Sequence, residues 1–273
     1  MSESQVIHHS ALPLTTASIA ADLRTLGIRN GDILLVHSSL SSLGWVCGSA
    51  IAVIDALLES VGADGTLCMP AHSGENSEPS KWENPPVPPE WCETIRANMP
   101  AYRAAVTPTR GMGKIAELFR SYPGTLRSDH PQVSFTANGK QAEQITKTHP
   151  LNPQFGIDSP LGELYRLGGK ILLLGVGYGN CTSFHLSETL WSEMPKMKSG
   201  ACILKNGQPQ WTEFEDFDYD SDDFDLIGAA LESETEYTRI GRIGNAECRI
   251  LPVKESVDFA EKWIAKNRSD SVK

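Results

Sequence analysis

The chain has 273 residues, 40% of them hydrophobic and 21% charged, the make-up of a globular protein long enough to bury a substantial core. Its formal net charge of −10 argues against nucleic acid or an anionic membrane as partner and suits a cationic substrate. The six cysteines are scattered without a CxxC pair, and no apolar run reaches membrane-spanning length, so the expectation is a cytoplasmic protein with reduced thiols.

Thr15 or Thr16 is placed to cap a helix running to about Leu26, with Ile19, Leu23 and Leu26 at helical spacing. Residues 27–31 form a turn, and Ile33-Leu34-Leu35-Val36 reads as a buried strand ending at His37. A hydroxyl-rich segment, residues 38–44, leads to a helix from about residue 49 to 61. Asp64-Gly65 then turns into a second strand, residues 66–69, stopped by Pro70. Strand, helix, strand in that order makes a parallel α/β unit.

From residue 71 to 107 the periodicity dissolves, with Pro79, Pro85, Pro86, Pro88 and Pro89 set among Trp82 and Trp91. This long insertion reads either as a site-covering loop or as a surface excursion. Residues 113–119 are helical in pattern, residues 133–135 form a short strand, and residues 161–167 form a helix. Ile171-Leu172-Leu173-Leu174 is a buried strand that ends in a glycine turn. From Cys202 onward the pattern shifts to short β-like pieces, closed by an amphipathic helix through Val257, Phe259 and Trp263. The fold expected is a single α/β domain over residues 1–273, with a mixed central sheet flanked by helices, the Pro/Trp-rich insertion, and a β-rich C-terminal part.

The segment with most chemical content follows that last central strand: Asn180-Cys181-Thr182-Ser183-Phe184-His185-Leu186-Ser187-Glu188. His185 and Glu188 are three residues apart at the start of a helix and so share a face. A carboxylate there can fix the imidazole tautomer, the arrangement a general base uses. A capped helix carrying a structural histidine has the same signature. Residues 38–44 leave a strand and open toward a helix, so backbone N–H groups and hydroxyls could hold a phosphate. They match neither a Walker loop nor GxGxxG, and taken alone they read as a plain serine-rich turn with a helix cap.

Arg110-Gly111 and Arg127-Ser128 supply basic groups and donors in an otherwise acidic chain, for an anion or for structural ion pairs. Glu213, Glu215, Asp216, Asp218, Asp220, Asp222, Asp223 and Asp225 form a run without Lys or Arg, either a solvated face or a rim that gathers a cation. Nothing near Cys181 lowers a thiol pKa, and no GxSxG elbow exists. His72, His130 and His185 lack the spacing of a metal motif, so no metal is expected; a metal-dependent hydrolase is the lesser alternative, and a non-catalytic binding protein a further one.

In order and spacing, several segments resemble the aminoglycoside N3-acetyltransferases, the antibiotic N-acetyltransferase type unrelated to the GNAT fold. They are Val36-His37-Ser38-Ser39-Leu40-Ser41-Ser42-Leu43-Gly44, Gly65-Thr66-Leu67-Cys68-Met69-Pro70-Ala71-His72, residues 113–120, Arg127-Ser128-Asp129-His130-Pro131, Ser159-Pro160-Leu161 and residues 174–188. The acidic run and Gly244-Asn245-Ala246 extend the likeness, which covers about residues 15–265.

The resemblance implies transfer of acetyl from acetyl-CoA to an aminoglycoside amine, the 3-amino group of the 2-deoxystreptamine ring, or to another amine metabolite. It makes His185 the catalytic base and Glu188 its acid partner and acceptor contact. The Thr182 hydroxyl, or backbone N–H groups, then become candidates for stabilising the thioester oxygen. His37, Ser38, Ser39, Leu40, Ser41, Ser42 and Gly44, with Arg110, Gly111 and Ser128, fall to the coenzyme A side. His72, Trp82, Asp216 and Asp218 fall to the acceptor side. Where the family pattern has paired glycines after the serine loop, this chain has Gly48-Ser49. Enzymes of this size are often homodimers, though no feature of the sequence compels it.

Overall fold

Period-2 alternation in the central strands fixes the architecture of the computed structural model, which describes residues 3–268. Leu34 and Val36 belong to one buried cluster and Leu35 to another, so the sheet is covered on both faces. The first half of the chain runs α1 (Glu3–His8), α2 (Thr16–Leu26), β1 (Ile33–Ser38), α3 (Ser49–Val61), β2 (Thr66–Pro70), α4 (Cys92–Asn98), α5 (Gly113–Phe119), β3 (Leu126–Arg127), β4 (Phe135–Gly139) and α6 (Ala142–Thr146). The second half runs α7 (Pro160–Arg166), β5 (Lys170–Leu174), α8 (Phe184–Leu190), β6 (Lys196–Lys205), β7 (Gln208–Phe217), α9 (Phe224–Glu234), β8 (Arg239–Ile243), β9 (Ala246–Pro252) and α10 (Val253–Asn267).

Seven strands form one mixed sheet in the order β3-β4-β2-β1-β5-β9-β8. Its centre, β2-β1-β5, is parallel, and antiparallel strands flank it on both sides. Helices α2, α3 and α5 cover one face, and α6 to α10 the other. Strand β1 leaves through α3 on the first face, while β5 is entered from α7 on the second. A crevice therefore opens beyond the carboxyl ends of β1 and β5, where ligands bind in sheets of this kind. His37 and Ser38 stand at the end of β1, His72 just beyond β2, and residues 175–185 beyond β5.

Several local expectations hold. Thr15 caps α2 in a capping box with Ser18, and Gly27 ends that helix at φ 115°. The helix expected at residues 161–167 is α7, and Ser159 caps it with Pro160 at its first position. Others shift. The short strand expected at residues 133–135 is β4, which starts at Phe135 and pairs antiparallel with β2. Residues 128–134 instead form the turn that lets His130 Nδ1 accept the N–H groups of Gln132 and Val133. The insertion carries a helix, α4, and is stitched to the hairpin β6–β7: the Asn76 amide bridges Cys202, and the Tyr102 N–H donates to the Cys202 carbonyl. The C-terminal part alternates, with α9 and α10 between and after its two strand pairs. Among the described residues no helix is long and apolar enough to cross a membrane.

Candidate active site

A single-turn 3₁₀ segment, Tyr178–Asn180, follows β5 and delivers the chain to α8. Gly175 permits this exit: its φ is 70°, and a side chain there would meet Cβ of Ser42 at 2.8 Å. In the first turn of α8, His185 Nδ1 lies 2.5 Å from Glu188 Oε2. An ionised carboxylate only accepts, so Nδ1–H donates and Nε2 keeps its lone pair.

Glu188 is fully buried, and its other oxygen accepts from Arg268 Nη1 at 2.5 Å and from the Asp220 N–H at 3.1 Å. Arg268 also binds Asp223. Burial pulls the Arg268 pKa down, but its bonds to Asp223 and Glu188 more than offset that and hold it above the ordinary arginine value.

Aromatic rings fix the His185 imidazole on several sides. Phe155 stacks on it at 4.7 Å and 12°, Phe224 tilts against it at 4.8 Å, and Tyr219 meets it edge-on at 5.4 Å. The loop bearing Phe155 is itself tied down, because His149 Nε2–H donates to the Gln154 carbonyl and the Asp216 carboxylate accepts the Gln154 N–H.

His185 lines a pocket of about 240 Å³ together with His37, Ser38, His72, Asn180 and Thr182. Burial, reinforced by the neighbouring His185, pushes the pKa of both His37 and His72 down to about 3. Both are therefore neutral at working pH, and the Nε2 of each is buried without a hydrogen-bond partner. Thr182 faces the pocket and is nearly buried. His130 and His149, deeper in the same face, are also held neutral by burial, His130 with a pKa of about 4.

This pocket shares Ser38, Gly111, Met112 and Asn180 with a larger cleft of about 740 Å³. Ser39, Leu40, Ser41 and Gly44 line that cleft, as do Glu3 and Val6 of α1 and Lys114 of α5. The loop is ordered from within: the Ser42 hydroxyl donates to the Ser39 hydroxyl at 2.8 Å, and the Ser39 N–H donates to Leu174. Gly44, at φ 95°, lies where a side chain would meet Ser10 and Asn245 at about 3 Å. Four residues assigned to this side from sequence do not line this cleft: His37 lines the smaller pocket, Ser42 holds Ser39, and Arg110 and Ser128 stand apart. The Arg110 side chain pairs with Glu75 at 3.6 Å in solvent, and only its neighbour Gly111 lines the cleft. Ser128 is fully buried, its hydroxyl bonded to His149 Nδ1 and to the Phe135 N–H.

Across Tyr219 lies a third cleft of about 230 Å³, lined by Trp82, Gln132, Met197, Asp216 and Phe217 among others. The Trp82 indole donates to Ser77 at 2.8 Å, and burial raises the Asp216 pKa. Asp218 does not line this cleft; its N–H donates to the Pro195 carbonyl. The acidic run thus divides. Asp216 reaches the cleft, Asp223 holds Arg268, and Asp225 accepts the Gly179 N–H at 3.0 Å. Among the described residues no group of three or more His, Cys, Asp or Glu side chains is placed to hold a metal ion.

Sequence reading missed Phe155, Tyr219, Arg268, Lys114 and Asn180. Asn180 and Lys114 sit inside motifs that were singled out, so their position was a usable signal. Arg268 lies 80 residues from its partner, and only the packing of α10 on α8 brings them together.

The family model for aminoglycoside 3-N-acetyltransferases matches residues 35–265. An SPbeta prophage-derived aminoglycoside N(3')-acetyltransferase-like protein, YokD, of Bacillus subtilis is 45% identical over 98% of this chain and 99% of its own length. The crystal structure of YokD superposes with a TM-score of 0.96 at 44% identity, covering 99% of both chains. Aminoglycoside N(3)-acetyltransferase IX of Micromonospora chalcea is 33% identical over 97% of this chain and 98% of its own. The binary structure of AAC-IIIb with CoASH has a TM-score of 0.83 at 30% identity, covering 93% of this chain and 97% of that one.

Proposed function

The chain belongs to the aminoglycoside 3-N-acetyltransferase family, and from that premise we propose that it moves the acetyl group of acetyl-CoA to the 3-amino group of a 2-deoxystreptamine aminoglycoside, with His185 as general base. One observation carries the assignment of the base: His185 Nδ1 is committed to Glu188, while its ring lines a pocket continuous with the large cleft.

The acyltransferase needs a slot for an extended thioester and a separate approach for the amine. The cleft of about 740 Å³ fits the first, with backbone groups and hydroxyls at residues 38–44 and the Lys114 ammonium for phosphates. The cleft beyond Tyr219, with the Asp216 carboxylate and the Trp82 ring, fits the second. Glu188 helps through His185, whose charge it balances, and not by touching the acceptor, since it is fully buried.

An aminoglycoside amine is largely protonated at neutral pH and cannot attack until it has released one proton to solvent, so the free amine is the form that reacts. His185 Nε2 takes a proton from the attacking nitrogen as the N–C bond forms, and Glu188 stabilises the imidazolium. His185 then returns that proton to the sulfur as the C–S bond breaks, which leaves the residue as it began. The Thr182 hydroxyl and nearby backbone N–H groups are the donors for charge on the carbonyl oxygen. His37 and His72, held neutral, add no positive charge against a cationic acceptor. Because the six thiols are free and acetyl-CoA is an intracellular metabolite, we place this reaction in the cytoplasm.

The test is thiol release from acetyl-CoA with a panel of 2-deoxystreptamine aminoglycosides, comparing the wild type with His185→Ala. Amine-dependent release that falls about 10²–10⁴-fold in the variant supports the base. A variant with unchanged single-turnover rate refutes it. If coenzyme A does not bind in calorimetry, the whole reading fails.

A further inference from the structure

The charged group that no step above uses is the guanidinium of Arg268. It caps the last turn of α10, a 15-residue helix packed on α8, and its side chain is only 14% exposed. Its three nitrogens are all engaged. Nη1 meets Glu188 Oε1 at 2.5 Å, Nε and Nη2 meet the two oxygens of Asp223 at 2.8 and 2.5 Å, and Nη2 also donates to the Asp220 carbonyl at 2.9 Å. One fully buried carboxylate is thus gripped at opposite oxygens, by His185 on one side and Arg268 on the other.

We propose that Arg268 is a positioning residue of the active site: by binding the Glu188 oxygen opposite His185, it sets how strongly Glu188 retains a proton on the imidazole. The role rests on His185 acting as the base. A carboxylate beside an imidazole favours the imidazolium, and a cation on the same carboxylate weakens that preference. A base that binds its proton too tightly is occupied at neutral pH and cannot accept another.

The Asp220 N–H also donates to Glu188 Oε1 but carries no net charge, and the other titratable groups around the pair do not supply this balance. His37 and His72 are held neutral by burial. Tyr219 stays protonated, and Asp216 sits behind it with its carboxylate turned to Gln154 and Phe217. The Asp220 side chain accepts from the Asp222 N–H, and Asp223 is bound on the far side of Arg268. Each of these acids acts in the same sense as Glu188. Arg268 is the one Lys or Arg paired with Glu188 among the described residues. The last turn of α10, far from the reacting atoms in sequence, thereby becomes part of the catalytic apparatus.

The experiment is a pH titration of the His185 imidazole by ¹⁵N-histidine NMR in the full-length protein, with the resonance assigned by its loss in His185→Gln. Arg268→Met is expected to move the midpoint up by about one pH unit, and Arg268→Lys, which keeps the charge, by about 0.3 or less. In a Glu188→Gln background, Arg268→Met should move it no further, because the charge through which Arg268 acts is gone.

In turnover with acetyl-CoA and an accepted aminoglycoside, the acidic limb of kcat should rise by the same amount while the KM for acetyl-CoA stays within about twofold. Should Arg268→Met not fold, the Lys variant and the Glu188→Gln/Arg268→Met double variant, which leaves only the partly exposed Asp223 without its partner, carry the comparison. An unmoved midpoint in folded Arg268→Met, or an equal shift in the Glu188→Gln background, overturns the proposal. The titration needs no acceptor, so an active His185→Ala would refute the base without touching this result.

Discussion

Lowering the pH from 7.5 to 5 is expected to remove about 6 kcal/mol or more of this protein's stability, well before its carboxylates are protonated. The cause is a row of histidines that the fold keeps uncharged. His37 and His72 have pKa values near 3 and His130 near 4, against an ordinary 6.5, chiefly because burial penalises the imidazolium. His149 is lowered in the same way.

A folded-state pKa below the unfolded one means that the unfolded chain binds more protons across the interval between them. Stability is therefore full above about pH 6.5 and is lost as the pH falls toward 4. Each such histidine contributes about 1.4 kcal/mol per pH unit once the unfolded form is protonated, or about 2 kcal/mol at pH 5. Three give about 6 kcal/mol, with His149 acting in the same direction, to be set against a total of about 5–15 kcal/mol for a typical domain.

The paired carboxylates Glu78 and Glu117, held at about 2 by Arg96 and Arg120, lose their contribution only below about pH 4.5. The two windows are separable. Urea unfolding at closely spaced pH values, followed by far-UV circular dichroism, gives ΔG against pH. The slope at pH 5.5 should correspond to about three protons taken up on unfolding by His37, His72 and His130. A slope below one proton there, or ¹⁵N-histidine spectra showing these rings protonated in the folded protein at pH 5, would refute the reasoning.

Two further outcomes follow from the clefts and the packing around them. Lys114→Ala should raise the KM for acetyl-CoA about fivefold with kcat unchanged, and leave the kinetics with acetyl-pantetheine, which has no nucleotide phosphates, as they were; equal effects on both substrates would remove Lys114 from phosphate binding. Gly228→Ala should destabilise the protein by about 2–3 kcal/mol in urea melts, since a methyl group there would fall 2.0 Å from Cδ2 of Tyr178 and push on the turn that carries Gly179 and Asn180; a variant within about 0.5 kcal/mol of the wild type would show that this turn yields freely.

What could be read from the sequence was whatever is encoded locally. The parallel pair β1 and β2, the caps of α2 and α7, and the His185–Glu188 pair each depend on residues a few positions apart, where period and capping chemistry speak directly. The strand at Phe135–Gly139 was harder, because its start is set by His130 collecting two backbone N–H groups, a bond that leaves no periodic trace.

The acidic run shows why composition misleads at a site. Eight carboxylates in thirteen residues suggest one electrostatic surface, yet the fold separates them into a strand, a loop and a helix start with distinct duties. Asp216 orders the Phe155 loop, Asp225 anchors the turn before α8, and Asp223 seats the arginine that balances Glu188. All three carboxylates bear on a histidine from outside its own helix. The motif around His185 supplies the proposed base and, through Glu188, its tautomer, but its ring plane and charge balance come from residues 155, 219, 224 and 268. Those positions converge only because α9 and α10 pack on the same face of the sheet as α8. Reactivity here is thus a tertiary property laid over a locally written motif, and substitutions far from His185 in sequence are where that distinction becomes measurable.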